Sequence, residues 1–282
     1  VEIEGSIICL ECDAGKYNIK LVSISPTDCL ECEEGKYSET SSSRCSNCKI
    51  GEYVYNKKKC NKCPTGKFSE IVGITAEESC NFCQRGKYNS IIGGNSSKVC
   101  LNCPIGMYSF VLGGIDSNGC ISCDAGRYKE ISENRGTACK LCSNGQYSMK
   151  GSSLCILCKS GKYNNGFKSM DHITCKKCSP GTFSNIIGAD NINKCTDCPL
   201  GKFSSKVALN NSNGCNSCSV GRYNDIIGSD SNVACIKCPE GKIREFIGGT
   251  SINDCINCPV GFFSKINTYF CSECRLGQFN NC

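Results

Sequence analysis

Two short patterns alternate along the chain, and neither has the period of a helix. The first is an apolar pair followed by glycine: IVG at 71–73, IIG at 91–93, VLG at 111–113, IIG at 186–188 and 226–228, and FIG at 246–248. The second is a glycine, one residue and an aromatic, as in GKYN at 15–18 and GMYS at 106–109. No stretch keeps apolar residues at three- and four-residue spacing long enough to bury one face of a helix. An apolar step, a glycine turn and a return to a cysteine predicts a short strand and turn, so each block reads as a small hairpin-like loop.

The blocks are copies of one another. Cysteines form fifteen C-x-x-C pairs, beginning at Cys9, Cys29, Cys45, Cys60, Cys80, Cys100, Cys120, Cys139, Cys155, Cys175, Cys195, Cys215, Cys235, Cys255 and Cys271, with Cys282 left over. Glycine falls three residues after every second cysteine, from Gly15 to Gly277. Position five is Tyr or Phe in fourteen units and Ile243 in the other. The commonest step is 20 residues, with steps of 15 or 16 at four places. Self-similarity at such a period signals an array. No composition shift divides it, so 1–282 reads as a single repeat array of C-x-x-C-x-x-G-x-[YF] units of 15–20 residues. Residues 1–8 read as the tail of an incomplete upstream repeat. The recurrent glycine predicts a positive φ or a close backbone approach, and the aromatic stands where a ring can cover a disulfide. The short units lack the apolar pair and are expected to have smaller loops.

Composition supplies the compartment. Thirty-one cysteines in 282 residues is a density of about 11 per cent, the level of a disulfide scaffold. Such density belongs outside the reducing cytosol, at the cell surface or beyond it. There is no apolar run of about 18 residues to span a bilayer. The opening VEIEGSIIC has neither a basic leader nor an apolar core, which reads as a processed mature chain or a piece of a longer one. Asn95 and Asn210 head Asn-X-Ser sequons at matching places, five residues before a cysteine pair, and are candidates for N-linked glycans.

A C-x-x-C pair followed 15 to 20 residues later by another is also a zinc-ribbon spacing. Fifteen pairs leave an orphan when grouped into four-cysteine sites, and nothing alternates between first and second pairs. Redox catalysis needs a tuned electropositive setting, whereas the intervening residues vary from Leu-Glu to Lys-Lys to Asn-Phe. Disulfides are therefore expected, with no metal and no cofactor. One disulfide closing so small a loop returns only about 3 kcal/mol, so ordering a unit also requires stacking on its neighbours. That makes the array quasi-linear, each unit touching mainly the next, with apolar contacts between successive aromatics.

The string C-P-x-G-x-[YF]-S with a closing C-x-x-C, as in CPTGKFSEIVGITAEESCNFC at 63–83, resembles the ephrin-receptor-like cysteine-rich repeat, found in tandem in secreted and surface proteins, including those of protists. Its loop is also similar to the first loop module of tumour necrosis factor receptors. Proline after the second cysteine, at Pro64, Pro104, Pro199, Pro239 and Pro259, is absent from most units. The resemblance implies that each second cysteine bonds the next cysteine along the chain. Carried over, it pairs Cys12 with Cys29, Cys32 with Cys45, Cys48 with Cys60, Cys63 with Cys80, Cys83 with Cys100, Cys103 with Cys120 and Cys123 with Cys139. It continues with Cys142 to Cys155, Cys158 to Cys175, Cys178 to Cys195, Cys198 to Cys215, Cys218 to Cys235, Cys238 to Cys255, Cys258 to Cys271 and Cys274 to Cys282. Cys9 is left for an upstream or intermolecular partner. An interlaced ladder, first to first and second to second, stays open at this point because spacing does not set connectivity.

The implied fold class is small disulfide-rich repeats, mostly irregular with short β-hairpins, in an elongated rod-like solenoid with little or no helix. A spine advancing through one disulfide and one C-x-x-C step gains about 10–15 Å per unit. No enzyme is expected: His172, the single histidine, lies in a polar stretch with no recurring carboxylate partner. A basic residue follows the turn glycine in nine units, at Lys16, Lys36, Lys67, Lys87, Arg127, Lys162, Lys202, Arg222 and Lys242. It reads as a solvated edge, or as a row for an acidic glycan. EYVYNKKKC at 52–60 adds Tyr55, Lys57, Lys58 and Lys59, an aromatic-basic cluster. Two function classes follow. One is an extracellular structural protein, a glycosylated subunit of a fibre, filament or coat, with itself or other matrix and coat proteins as partners. The other is a recognition module, the ectodomain of a receptor or a surface antigen. Nucleic acid is excluded by compartment.

Overall fold

The computed structural model describes residues 9–130, 138–166 and 174–279. The chain divides into two compact halves, residues 1–123 with 129–139, and residues 124–128 with 140–282. Both halves are built from the same rung. The two residues after each turn glycine pair antiparallel with the two residues inside the next C-x-x-C. Lys16–Tyr17 (β1) thus lies on Leu30–Glu31 (β2), with Lys16 opposite Glu31 and Tyr17 opposite Leu30. The second half repeats this, Lys202–Phe203 pairing with Asn216–Ser217. Two-residue strands alone are too short to hold, so a disulfide closes each hairpin. Among the described residues there is no α-helix, only single 3-10 turns such as Ser97–Val99 and Ser212–Gly214 before the first cysteine of a pair.

The apolar pairs do not form the strands expected of them. Ile91 and Ile92 enter a turn whose glycine, Gly93, has φ 77°. Both side chains stay in water, at 58% and 60% exposure, and the pairs at 71–72, 111–112, 186–187, 226–227 and 246–247 are exposed likewise. The reason is that the backbone of this turn, rather than its side chains, is what docks. Gly93 N–H donates to Cys63 C=O (2.7 Å) in the preceding rung, and Gly113, Gly188, Gly228 and Gly248 donate in the same way to Cys83, Cys158, Cys198 and Cys218. Short loops keep the device: Ser41 (φ 59°) docks on Cys12 and Asn267 (φ 66°) on Cys238.

Contacts also reach one rung further than expected. A Cβ placed on Gly66 would stand 2.2 Å from Gly113 C=O, two rungs on, and one on Gly181 would stand 2.0 Å from Gly228 C=O. Gly66 and Gly181 are therefore each both a positive-φ residue and a site of close approach. Among the described residues the aromatics of successive rungs do not stack on one another either; the ring pairs present, Tyr108 with Phe110 and Tyr269 with Phe270, each lie within one loop. Tyr53 packs on Cys63, Cys80 and Ile74, and Tyr223 on Cys238 and Cys255, so a ring covers the disulfide of the next rung. Sulfur is polarisable and small enough to sit under a ring at every step.

Candidate functional site

The chemistry of this chain lies in its cysteines, and the structure joins fourteen disulfides among the described residues. In the first half the pairs are Cys12–Cys29, Cys32–Cys45, Cys48–Cys60, Cys63–Cys80, Cys83–Cys100, Cys103–Cys120 and Cys123–Cys139. In the second they are Cys142–Cys155, Cys158–Cys175, Cys178–Cys195, Cys198–Cys215, Cys218–Cys235, Cys238–Cys255 and Cys258–Cys271. Cα separations of 5.5 to 6.0 Å are those of ordinary disulfides. Each bond runs from a second cysteine to the first of the next pair, so the two cysteines of one C-x-x-C serve different rungs. Among the described residues that geometry brings no four cysteines to one point. Cys9 is exposed and unbonded, Cys274 is half-buried and unbonded, and Cys282, the partner implied for Cys274, lies outside the described residues. His172 also lies outside them.

The functional residues that the sequence reading missed come directly after the aromatic. Ser38, Ser69, Asn89, Ser109, Ser148, Asn164, Ser184, Ser204, Asn224 and Ser264 are all buried. In Ser38, Asn89, Ser148, Asn164, Asn224 and Ser264 the side chain reaches back to the preceding rung and donates to the carbonyl of the residue after its turn glycine, whereas Ser69 Oγ donates to Ile71 C=O in its own loop. Ser38 Oγ meets Lys16 C=O at 2.8 Å, Asn89 Nδ2 meets Lys67 C=O at 3.0 Å, and Ser148 Oγ meets Arg127 C=O at 2.9 Å. Asn224 Nδ2 meets Lys202 C=O and Ser264 Oγ meets Lys242 C=O, both at 3.0 Å. The backbone completes the pin: Gly66 N–H donates to Asn89 C=O at 2.7 Å, and Asn89 N–H to Gly114 C=O at 2.9 Å. A buried polar residue is tolerated here because every rung offers it partners. The signal was available, since Ser or Asn recurs in that column, but a small polar residue beside an aromatic reads as a surface residue until its neighbours are known.

Part of the basic row is spent on the fold. Lys36 pairs with Glu33 at 2.7 Å, which holds the Glu33 carboxyl below its ordinary range and raises the Lys36 ammonium. Lys67 pairs with Glu77 at 3.0 Å and sits 4.8 Å above the Phe82 ring. Arg222 donates to Cys235 C=O at 2.9 Å. The aromatic-basic cluster closes on itself in the longest hairpin, Glu52–Tyr55 against Lys59–Lys62. Lys59 lies 5.6 Å from the Tyr55 ring and Lys57 lies 3.5 Å from Glu31. What remains outward is the row of loops with their apolar pairs. Successive loops touch there, as Ser97 N–H donates to Glu70 Oε1 at 2.7 Å and the Ser97 hydroxyl bonds the same carboxylate, which these bonds hold below its ordinary value.

Residues 145–195 and 205–255 match the family described as tyrosine-protein kinase ephrin type A/B receptor-like. These stretches are ephrin-receptor-like cysteine-rich repeats. A comparison with curated proteins returns no match. The rung seen in the matched stretches recurs from Cys12 to Cys271 with one hairpin and one disulfide each time, as in an extracellular disulfide-rich module. No helix among the described residues is long and apolar enough to cross a membrane.

Proposed function

We propose that this ephrin-receptor-like array is a structural element, a subunit of an extracellular fibre or surface coat, and carries out no catalysis. The observation that supports the reading is the division of labour within each rung. Sulfur, ring, turn glycine and Ser or Asn are consumed inside the array, while the same apolar pair is turned outward at the same place in rung after rung. Repeated exposed apolar groups favour association, and a partner with matching spacing is a second copy or another coat protein. Where Lys162 stands opposite Lys177, a like-charge cross-strand pair, an acidic glycan would relieve the repulsion. Sedimentation and negative-stain imaging of the oxidised chain test the proposal: assembly should grow with concentration and be lost when Ile91, Ile92, Ile226 and Ile227 are changed to Lys. A chain that remains monomeric at high concentration rejects it. The receptor-like family match supports a second reading, the ectodomain of a surface receptor or antigen, which a monomeric chain binding a foreign protein would favour.

A further inference from the structure

Asn95 and Asn210 occupy one structural position. Each follows the loop residue, Gly94 or Leu209, that bridges to the aromatic of the rung before it, Phe68 or Phe183. Each precedes the N-cap of a 3-10 turn, Ser96 before Ser97–Val99 and Asn211 before Ser212–Gly214. Both are exposed, and neither side-chain amide has a hydrogen-bond partner among the described residues. The same position in other long loops holds Thr75, Ile115, Asp190, Asp230 and Thr250. Only these two asparagines have Ser two residues on, at Ser97 and Ser212.

We propose that Asn95 and Asn210 are acceptors of N-linked glycans, carried on the outer loops beside the exposed apolar residues Ile91, Ile92 and Val207. The reading does not rest on assembly into fibres. Disulfide formation already places the chain in a compartment where such transfer occurs. In the step itself, the amide Nδ2 attacks the anomeric carbon of a lipid-pyrophosphate-linked oligosaccharide. The new N–C bond forms as the C–O bond to the pyrophosphate breaks, the lipid pyrophosphate keeps the electron pair, and the amide gives up one proton.

The two sites differ in how folding closes them. The Ser97 backbone N–H and hydroxyl are held by Glu70, which belongs to the preceding rung. The Asn95 sequon is therefore engaged once the rung of Cys83–Cys100 docks on that of Cys63–Cys80, and transfer has to come first. No such bond to the Ser212 hydroxyl is present among the described residues. Asn210 is accordingly filled more completely than Asn95.

The test is to produce the full chain in a eukaryotic secretory host and digest it with peptide N-glycosidase. Two mobility steps are expected, with positions 95 and 210 recovered as Asp by peptide mass mapping. Asn95→Gln and Asn210→Gln should each remove one step, and Ser96→Ala, whose hydroxyl makes no capping bond, should remove none. Glu70→Gln should raise occupancy at Asn95 and leave Asn210 unchanged. Mapping both secreted and cell-retained chain covers variants that fold poorly. Recovery of unmodified Asn at either position in every fraction of the wild-type chain overturns the assignment for that site.

Discussion

Gly201 and Gly15 hold the same place in CPLGKF and CDAGKY, and their φ angles are 74° and 94°. A Cβ on Gly201 would stand 2.4 Å from the carbonyl oxygen of Gly248, whereas one on Gly15 would stand 3.4 Å from that of Lys57. The local motif thus asks for glycine at both places for its dihedral angle, and the loop two rungs on asks again at only one of them. The array is held by rungs that are locally alike but unequally covered.

The sharpest way to break that comparison is to add the same methyl group at both positions. Gly15→Ala should cost about 1 kcal/mol for the left-handed backbone. Gly201→Ala should cost that and about 1–3 kcal/mol more, because a backbone carbonyl has to move. Amide hydrogen exchange should show protection lost in the rungs of Gly201 and Gly248 for the one, and confined to its own hairpin for the other. Equal losses would mean that the two-rung contact contributes nothing.

The polar pins offer a second contrast, within one half. Asn224 donates to Lys202 C=O and Ser229 Oγ and accepts from Ile226 N–H. Asn224→Ala leaves these groups buried and unpaired, and should cost about 2–3 kcal/mol. Ser264 makes one such bond, to Lys242, so Ser264→Ala should cost about 1 kcal/mol. Thermal unfolding of the oxidised variants reads the difference.

A gain is expected where the docking turn lacks its usual glycine. Ala208, at φ 59°, donates to Cys178 C=O as glycine does in neighbouring rungs. Ala208→Gly should relieve the left-handed strain and stabilise by about 1 kcal/mol, a rise in melting temperature that Ala189→Gly in the preceding loop should not reproduce.

The smallest effect is electrostatic. Asp254 accepts from Thr250 N–H at 2.6 Å, from the Thr250 hydroxyl at 3.0 Å and from Ser251 N–H at 3.2 Å, with Arg244 at 3.7 Å, and these hold its carboxyl below the ordinary value. A depressed folded pKa makes its contribution complete at neutral pH and loses it as pH falls from the ordinary carboxylate range through the folded value. For a partly solvated group the effect is below about 1 kcal/mol. The acid limb of the stability profile should flatten in Asp254→Asn.

The sequence by itself determined the rung: its period, its cysteine pairs, the positive-φ glycine, the aromatic over a disulfide, and the near absence of helix. All of these act within about 20 residues, through dihedral preference, loop closure and ring size, and so are written once per copy. Only the tertiary structure decided which cysteines bond, because pairing from the second cysteine of one C-x-x-C or from its first closes loops of similar length. It alone turned Ile91 and Ile92 outward, since a two-residue apolar step has no period from which a face can be read. It also buried Ser69 and Asn89, and set Gly113 against Gly66, because both depend on the rotation from one rung to the next, and that rotation is encoded in no single copy of the repeat.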